Sequence, residues 1–474
     1  MKRFVLVLAA AALLLAGCSV VTETEYDAKA YGRQDLVQEV DLDARITINP
    51  LLYFVSASNQ NKLSAEAREI AVPQNEITEK YVVQALIDGP SAESGLLPVA
   101  SGFAFEYIEV LPDVINLYLI SDQYLSESVL LRARTAFCAT LSDFSGKKYI
   151  NIYVNGRAQG YAGMPVGTVE KTTTDISEEE TKLNQKTDME SPDMSATLYF
   201  LDKSESYILP EQRSLVFKNK NYVRILVQEL LKGPQNTYNH RSVIDSSISL
   251  LTDPEVVQLA DGSKVLELNF NKIPIVYTEQ FMEAQQMTIA SLTYTLLGFL
   301  PNVDGIKILV GGKPMDDTLY TMKMFREVLG SSVTLYLPGD AYTSLYGTER
   351  VIGQGLTTVP AVLLEELMKG PAVTDDSILR PAMLQGVSMD DVRDVHIAND
   401  ILVLDFKESI HGKMENVSKS DEQIMLFSIV NTLTTLDSVR RVQFLVEGER
   451  VERIGGGVIT VIDPIMKNPG MIRN

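Results

Sequence analysis

The chain has 474 residues, more than one ordinary hydrophobic core accommodates, so we expect about two to four domains. Its formal net charge is −20, from 62 acidic and 42 basic residues. A chain this acidic is a poor candidate for binding nucleic acid, because phosphate recognition needs clustered lysine and arginine. The two cysteines, Cys18 and Cys138, are too few for a disulfide scaffold.

The first 18 residues, MKRFVLVLAAAALLLAGC, have the organisation of an export signal. Lys2 and Arg3 precede a short apolar core, and small residues follow it. The ending LAGC resembles a bacterial lipobox, which implies cleavage after residue 17 and a diacylated cysteine at the new N-terminus. We therefore expect a signal peptide at 1–17 and lipidation of Cys18. The alternative is a plain secretory signal that ends near a chance cysteine.

Lipidation of Cys18 predicts a protein held to the lipid bilayer of the cell membrane, on its extracytoplasmic face. Each buried methylene of an acyl chain contributes about 0.8 kcal/mol, so two or three chains anchor firmly. Residues 18–47 are acidic and polar, with weak periodicity, and are predicted to be a tether between the membrane and the first domain.

A seven-residue motif occurs three times, as QALIDGP at 84–90, QELLKGP at 228–234 and EELMKGP at 365–371. A strand pattern that begins with Leu-Tyr lies upstream of each copy. A Thr-Leu pair in an apolar helical pattern and a strand ending in Val-x-Gly lie downstream. The first leucines are Leu52, Leu198 and Leu335, and the threonines are Thr140, Thr295 and Thr432. Because these landmarks recur at nearly fixed spacing, they indicate an internal repeat.

Each repeat is predicted to contain a strand, a helix, a hairpin of two strands, a second helix and a final strand. Helices with one apolar stripe and strands with one apolar face predict the α+β class, with three tandem two-layer α/β sandwich domains. The Gly-Pro dipeptide is interpreted as structural. Gly233 can adopt a left-handed conformation that closes the helix, and Pro234 prevents its continuation.

These patterns divide the chain into seven segments. They are a signal peptide (1–17), a tether (18–47), domain 1 (48–165), a flexible acidic linker (166–195), domain 2 (196–316), a connector (317–331) and domain 3 with a C-terminal extension (332–474). The linker is rich in Thr, Glu, Asp and Ser, which favours disorder. Because the connector is shorter and amphipathic, we expect domains 2 and 3 to be held more rigidly than domains 1 and 2.

The repeat resembles the GerMN domain of sporulation and spore-germination proteins, over residues of roughly 48–160, 194–315 and 331–450. The second copy matches best, through its Leu-Tyr-Phe strand, the Leu-Leu-Lys-Gly-Pro helix end and the Thr-Leu helix. A Leu…Glu…Arg set follows the first strand of each copy: Leu209, Glu211 and Arg213; Leu63, Glu66 and Arg68; Leu345, Glu349 and Arg350.

The resemblance implies a non-enzymatic envelope lipoprotein of spore-forming or related Gram-positive bacteria. It also implies a fold similar to the ring-building modules of secretion-type assemblies, in which neighbouring copies stack. Envelope protein partners or self-association would follow from that fold. Family members commonly carry two such domains, whereas this chain has three copies.

The sequence has no motif typical of catalysis or of metal binding. His240, His396 and His411 do not have metal-ligand spacing, and P-loop, dinucleotide-binding and nucleophile-elbow patterns are missing. We therefore assign no catalytic residue, cofactor or metal. Cys138 lies in an apolar helical pattern and is interpreted as a small buried hydrophobe, with a reactive thiol as the alternative. The acidic run at 178–180 is interpreted as solvated linker charge rather than a cation site.

The sequence thus predicts a membrane-anchored, extracytoplasmic lipoprotein that is not an enzyme and acts as an assembly or interaction scaffold in sporulation or spore germination. A general cell-wall-binding lipoprotein unrelated to sporulation is the first alternative. A glycan-cleaving hydrolase is a second, because such enzymes need only two carboxylates that lie far apart in the sequence. The solute-binding lipoprotein of a transporter is a third. Only Cys18 receives a functional assignment.

Overall fold

A computed structural model of the chain describes residues 45–73, 76–170, 173–274, 281–372, 375 and 377–473. The predicted signal peptide, Cys18 and most of the predicted tether lie outside the described residues, so their assignments remain predictions. Among the helices that the structure describes, none combines the length and the apolar character that a membrane span requires.

Domain 1 contains two helices, two larger sheets and the two-stranded pairs β1-β4 and β10-β11. The helices are α1 (Thr78–Asp88) and α2 (Glu127–Ser145). One sheet has the order β3-β2-β5, and the other has the order β12-β8-β7-β6 with β9 paired to β8. The strands are β1 (Arg45–Ile48), β2 (Leu51–Ser56), β3 (Leu63–Ala67), β4 (Ile70–Pro73), β5 (Leu96–Leu97), β6 (Ala104–Val110), β7 (Val114–Ile120), β8 (Tyr149–Val154), β9 (Arg157–Ala158), β10 (Gly160–Tyr161), β11 (Met164–Pro165) and β12 (Val169–Glu170).

The segment between domains 1 and 2 was expected to be a flexible acidic linker, and this prediction is wrong. It forms helix α3 (Ile176–Asp188), whose N-terminus is capped by the Asp175 carboxylate. The Ile176 side chain is buried in the core of domain 1, and Leu63 of β3 donates its N–H to the Thr174 carbonyl at 2.8 Å. Composition alone missed the helix because capping and one buried apolar residue offset its polar surface.

Domain 2 repeats this arrangement. Its helices are α4 (Tyr222–Lys232) and α5 (Phe281–Leu297), and its sheets have the orders β14-β13-β15 and β16-β17-β18-β19. The strands are β13 (Asp193–Asp202), β14 (Ile208–Val216), β15 (His240–Arg241), β16 (Glu255–Gln258), β17 (Lys264–Phe270), β18 (Gly305–Val310) and β19 (Lys313–Pro314). A 3₁₀ helix, Met322–Val328, occupies the connector to domain 3.

Domain 3 has the helices α6 (Pro360–Lys369), α7 (Ser409–Lys413) and α8 (Lys419–Leu433). Its sheets have the orders β20-β21-β27 and β22-β23-β24-β25, with β26 paired to β24. The strands are β20 (Gly330–Pro338), β21 (Leu345–Gly353), β22 (Val392–Ala398), β23 (Ile401–Phe406), β24 (Arg441–Val446), β25 (Glu449–Arg450), β26 (Ile465–Met466) and β27 (Ile472–Arg473).

The α+β class is confirmed, and the order of elements needs one addition. Each domain begins with a hairpin rather than with a single strand: β2–β3, β13–β14 and β20–β21. The second helix links two parallel strands in each domain, as in β7-α2-β8. The extra strand carries the Leu…Glu…Arg residues, except that Arg68 lies just beyond the end of β3; the sequence pattern left these residues without a secondary structure.

The buried contacts reverse the expectation that domains 2 and 3 are held together most firmly. One hydrophobic core includes domain 1 residues such as Tyr118 and Tyr153, most of the domain 2 interior, and Phe325 of the connector. The main core of domain 3 is a separate cluster. The expectation compared the shorter, amphipathic connector with a flexible segment at residues 166–195, but that segment contributes a folded helix.

The repeated Thr-Leu landmark has a structural role in all three copies. The threonine of the second helix accepts a hydrogen bond from the backbone N–H of the tyrosine in the first strand. The pairs are Tyr53 with Thr140 at 3.1 Å, Tyr199 with Thr295 at 3.1 Å and Tyr336 with Thr432 at 3.0 Å. Each threonine is fully buried, so this bond satisfies a donor that water cannot reach.

We therefore expect Thr295→Val to destabilise the protein by about 1–3 kcal/mol, because it leaves the buried Tyr199 N–H without an acceptor. Chemical denaturation would measure the change. Thr293→Val is the matched control, since the Thr293 hydroxyl only bonds back to the Ile289 carbonyl of its own helix. Equal losses in the two variants would contradict a special role for Thr295.

Candidate functional site: interdomain junction and cleft

An arginine fastens the first hairpin of each domain to the Gly-Pro end of its first helix. Its Nη2 donates to the carbonyl oxygen of the glycine. The pairs are Arg68 with Gly89 at 3.0 Å, Arg213 with Gly233 at 2.6 Å and Arg350 with Gly370 at 2.9 Å. The two most recognisable motifs of the repeat are therefore the two halves of one contact, which we call the arginine staple.

The staple explains why the helix ends in glycine. Gly233 has φ 81° and ψ 179°, and Gly89 and Gly370 lie in the same region. Positive φ was predicted for this residue, but the extended ψ was not. Only glycine adopts this combination at low cost, and we infer that the extended ψ presents the carbonyl to the arginine.

A carboxylate completes each staple, from the same position in domains 1 and 2 and from a different position in domain 3. Glu66 accepts the Ser91 N–H, and Glu211 accepts the Asn236 N–H, each at 3.0 Å and just after the Gly-Pro. Burial acts to raise the pKa of Glu211, but hydrogen bonds from backbone N–H groups and the arginine outweigh it, so the pKa is lowered.

The third copy departs from the motif that the resemblance implied. Thr348, not Glu349, lies opposite Leu335 in the strand register, where the other copies have their glutamate. Asp375 supplies the carboxylate instead: it accepts the Ala372 N–H at 2.8 Å and bonds Arg350 Nη2 at 3.4 Å. Glu349, the glutamate that the motif includes in this copy, is therefore not the carboxylate of the third staple.

A buried polar cluster, which we call the junction, lies where the three domains meet. Its centre is the fully buried Glu109 of β6. The carboxylate accepts hydrogen bonds from Asn116 Nδ2 at 2.8 Å, from the Tyr118 hydroxyl at 3.1 Å and from the Tyr294 hydroxyl of domain 2 at 3.0 Å. Burial raises the pKa of Glu109 to about 7, although these donors and the nearby Arg326 act to lower it.

The connector and domain 3 reach the junction through Arg326 and Gln354. Arg326 Nε lies 3.9 Å from Glu109 Oε1, and its guanidinium lies 4.1 Å from the centroid of the Tyr107 ring. Gln354 Nε2 of domain 3 donates to the Tyr107 hydroxyl at 2.6 Å. A cation between an acid and an aromatic face is stabilised by both, and more so when water is excluded. Elements of all three domains therefore share one polar cluster.

The junction was missed at the sequence level, although a signal for it was present. Asn116 and Asn151 interrupt the apolar strands INLYL and INIYV and are both buried. Asn151 Nδ2 donates to Asn116 Oδ1 at 2.9 Å, and Asn116 Nδ2 also donates to the Tyr199 hydroxyl of domain 2 at 3.0 Å. Paired asparagines at inward strand positions indicate a buried polar contact with a second body.

A cleft of about 830 Å³ is bordered by all three domains. Lys147 of domain 1 and Pro210 of domain 2 line two of its sides. Gly347, Glu349 and Val351 of β21 line the third. Its volume lies within the range of about 300–1,000 Å³ typical of ligand-binding clefts.

Strand β21 directs unpaired backbone groups toward this cleft. In an antiparallel ladder, successive residues face the partner strand and the open side in turn. Tyr336, which lies opposite Gly347, donates its N–H to Thr432 and not to β21. Tyr336 and Gly347 therefore form a pair without hydrogen bonds between them, and every second pair along the two strands is of the same kind. Glu349 and Val351 belong to such pairs, so their N–H and C=O groups point away from β20.

The chain already adds a strand to this edge. β27 pairs in parallel with β21, but only at Leu345 and Tyr346. In domain 2, Pro210 blocks the corresponding edge. It lies opposite Tyr199 in the strand register, which is the position that Gly347 has opposite Tyr336 in domain 3. Proline lacks an N–H and protects an edge strand from pairing. Beyond Tyr346, no strand of the described chain pairs with the outer edge of β21.

The residues that the sequence singled out do not assemble into a catalytic site. His240 lies in β15, and burial lowers its pKa. His396 lies in β22, with Nδ1 2.5 Å from Asp394 Oδ2, and His411 in α7 accepts the Gly455 N–H at 2.6 Å. Within the described ranges, no group of three or more His, Cys, Asp or Glu residues is arranged to hold a metal ion.

Cys138 is buried in α2, as predicted. Burial raises the pKa of its thiol to about 12, which disfavours the thiolate on which nucleophilic chemistry depends. The acidic residues at 178–180 belong to α3, where Lys182 Nζ lies 3.0 Å from carboxylate oxygens of both Glu178 and Glu179.

The seam between domains 1 and 2 depends on the absence of a side chain at Gly167. This residue has φ +77°, and an added Cβ would lie 2.6 Å from the Ser195 carbonyl oxygen of β13. We expect Gly167→Ala to destabilise the protein by about 2–4 kcal/mol through backbone strain and this clash.

Gly163→Ala is the control for that measurement, because Gly163 has φ +78° but open space around its Cβ position. The difference between the two midpoints of thermal unfolding isolates the contact between the domains. Equal shifts would show that only backbone strain matters.

Comparison with known proteins identifies the family. The family model described as Germane, sporulation and spore germination, matches residues 197–316 and 334–452. Among solved structures, the chain is similar to the tandem GerMN domains of the sporulation protein GerM from Bacillus subtilis, with 20% identity, a TM-score of 0.23 and coverage of 59% of this chain and 100% of that one. The first GerMN domain of GerM matches with 21% identity, a TM-score of 0.22 and coverage of 28% and 96%. No curated protein matches the sequence of this chain.

The chain belongs to the Germane family, which is linked to sporulation and spore germination. The family model covers domains 2 and 3. Domain 1 lies outside both matched ranges but repeats their order of elements, the arginine staple and the Tyr–Thr hydrogen bond. Membership of domain 1 therefore remains a prediction, which these repeated contacts support.

Proposed function

We propose that this protein is a lipid-anchored, extracytoplasmic scaffold that holds partner proteins at the cell envelope during sporulation or spore germination, without catalysis of its own. Its family supports the process. The lipobox-like LAGC at 15–18 supports the anchor. The observation that carries the scaffold role is the open edge of β21 inside a cleft lined by all three domains.

The partner surface that best fits this edge is an extended segment of another envelope protein. Glu349 and Val351 offer backbone donors and acceptors in the spacing of a β-strand. Strand addition gains affinity from main-chain hydrogen bonds, while side-chain contacts at the walls give specificity. The exposed Tyr238, whose ring lies 3.6 Å from Lys203 Nζ, provides one such contact at the wall of the cleft.

The hydrolase alternative needs two carboxylates that face each other across a substrate. Two carboxylates that line the cleft have structural duties instead. Asp202 accepts the N–H groups of Ser206 and Tyr207 in the β13–β14 turn, and Asp375 pairs with Arg350. Asp113 and Glu349 also line the cleft, so they are the pair of acids that the hydrolase alternative would have to use.

The anchor is tested by metabolic labelling with a fatty-acid analogue. We expect the label on the wild-type protein and on Cys138→Ser, and its loss in Cys18→Ser together with release from the membrane fraction. Label retained in Cys18→Ser would refute lipidation at this residue.

The biological role is tested in a deletion strain of the source organism, scored for heat-resistant spores and for germination rate. We expect normal growth with a defect in one of these two measures, which the wild-type gene restores. Normal spores and normal germination would refute the role in sporulation and leave a general envelope scaffold.

The partner site is tested by placing a photo-crosslinking residue at Tyr238. We expect an adduct with one envelope protein that is retained in Glu349→Gln but lost in Glu349→Pro, which also removes the outward N–H from the edge. An adduct that Glu349→Pro leaves unchanged would show that the partner does not pair with β21.

A further inference from the structure

At one position of the internal repeat, domain 1 has a different type of residue from domains 2 and 3. Counting back six residues from Thr140, Thr295 and Thr432, the threonines of the Tyr–Thr hydrogen bonds, gives Arg134, Ile289 and Leu426. All three side chains are buried, and Arg134 is only 5% exposed. Domain 1 therefore has a guanidinium where the other two domains have an aliphatic core residue.

The described residues do not neutralise this guanidinium. None of their carboxylates forms an ion pair with it, and none of their oxygens accepts a recorded hydrogen bond from it. Glu179 of α3 is the carboxylate that acts on it electrostatically. The same Glu179 is engaged by Lys182 Nζ at 3.0 Å and by the Thr173 N–H at 3.4 Å. Burial of an unpaired cation is costly, so a counter-charge at this position would be strongly favoured.

Arg134 borders a small cavity of about 10 Å³ between domain 1 and domain 2. Gln159 also lines it, and neither the amide nitrogen nor the amide oxygen of this buried side chain has a hydrogen-bond partner. Gly298 and Phe299 line the cavity from domain 2. Space of this size holds about one water-sized group, so it is somewhat too small for chloride and far too small for phosphate, sulfate or organic acids.

We propose that Arg134 and Gln159 bind one small monoatomic anion of the chloride class in this cavity. The guanidinium supplies the charge, and Gln159 Nε2 supplies a further donor. Chloride is somewhat wider than water, and the unbonded Gln159 side chain is the group that can shift to admit it. Because Gly298 and Phe299 belong to domain 2, the anion would stiffen the seam between domains 1 and 2.

The test is thermal unfolding of the full chain in detergent, in sodium chloride and in sodium gluconate at equal ionic strength. Gluconate is too large for the cavity. Raising chloride from about 5 to about 500 mM is expected to raise the Tm by on the order of 3 °C more than gluconate does, for a site with mid-millimolar affinity. Identical curves in the two salts would overturn the proposal.

Two variants assign the effect to this site. Arg134→Met keeps the length of the side chain but removes the charge, and it is expected to abolish the difference between the salts. Arg132→Met, on the same helix and partly exposed, is expected to retain it. If Arg134→Met does not fold, Gln159→Leu replaces it in the test. This variant is expected to show a smaller Tm difference between the two salts than the wild-type protein does. A difference that persists in these variants would place the anion elsewhere.

Direct pairing of Arg134 with Glu179 is the competing explanation, and Glu179→Gln distinguishes the two. If an anion neutralises Arg134, this variant retains or increases the response to chloride. If Glu179 does so, the variant is destabilised equally in both salts. Crystals grown in bromide are expected to show an anomalous peak between Arg134 and Gln159, and a peak compatible only with water would overturn the proposal.

Discussion

Replacing Arg213 with methionine is expected to destabilise domain 2 by about 3–5 kcal/mol, the cost of breaking a buried ion pair by removing one partner. The Arg213 side chain is 2% exposed and bonds Glu211 Oε1 at 2.6 Å and Glu229 Oε2 at 2.8 Å. It also donates to the Gly233 carbonyl. Methionine preserves most of the apolar contact of the stem but leaves two nearly buried carboxylates without their cation.

The same substitution in the other domains gives a graded series. The staple arginines of domains 3 and 1 are more exposed, with Arg350 at 13% and Arg68 at 23%. Solvent screens their lost interactions more effectively, so the expected order of destabilisation is Arg213, then Arg350, then Arg68. Guanidinium-induced unfolding of the full chain measures all three losses under the same conditions.

Arg224→Met provides the control for the series, because Arg224 forms an ion pair with the exposed Asp253 on the surface of the same domain. A loss of no more than about 1 kcal/mol is expected there. If Arg213→Met cost no more than Arg224→Met, the staple would not be the contact that stabilises the hairpin against the helix. The recurrence of Arg and Gly-Pro would then need another explanation.

The staple also shows how far sequence reasoning reaches. The Gly-Pro and the Leu…Glu…Arg motif were both recognised, and the glycine was interpreted as structural, but nothing in one sequence links residues 20 positions apart. In the third copy, the carboxylate comes from Asp375 on a loop, so spacing within the strand pointed to the wrong residue, Glu349. Local patterns identify the elements, whereas the partner of a buried charge depends on the tertiary fold.

The junction shows a second limit of prediction from the sequence. A strand pattern shows which residues are apolar, and β6 reads as an ordinary strand with Glu109 on one face. Its burial follows only from the arrival of Tyr294, which is 185 residues away, and of Arg326. Composition likewise failed at residues 176–188, because a capped helix with one anchoring isoleucine has the same composition as a solvated linker. In both cases a contact between domains decides the structure.

Replacing Glu109 with glutamine is expected to make the protein less sensitive to pH. Burial raises the pKa of Glu109 from its ordinary value of 4.5 to about 7. Between these values the unfolded chain is ionised while the folded protein keeps the proton, so the folded state binds more protons and stability falls as pH rises. The stability is fully present below about pH 4.5 and is lost by about pH 7. Glutamine keeps the shape and cannot ionise, so it avoids this loss.

The expected result is near-equal stability of wild type and Glu109→Gln at pH 4.5, and an advantage of the variant on the order of 3 kcal/mol at pH 8. Urea denaturation of both proteins across this pH range measures the difference between their free energies of unfolding. The contribution of the other acidic residues cancels in this difference, because both proteins contain them. Glu106→Gln, on the exposed face of the same strand, is the control and should show no such trend. An advantage of the variant that is independent of pH would mean that Glu109 is charged at all these pH values, with Arg326 and the three donors holding its pKa down. The junction would then be a permanent ion pair between domains, and envelope acidification could not strengthen their association.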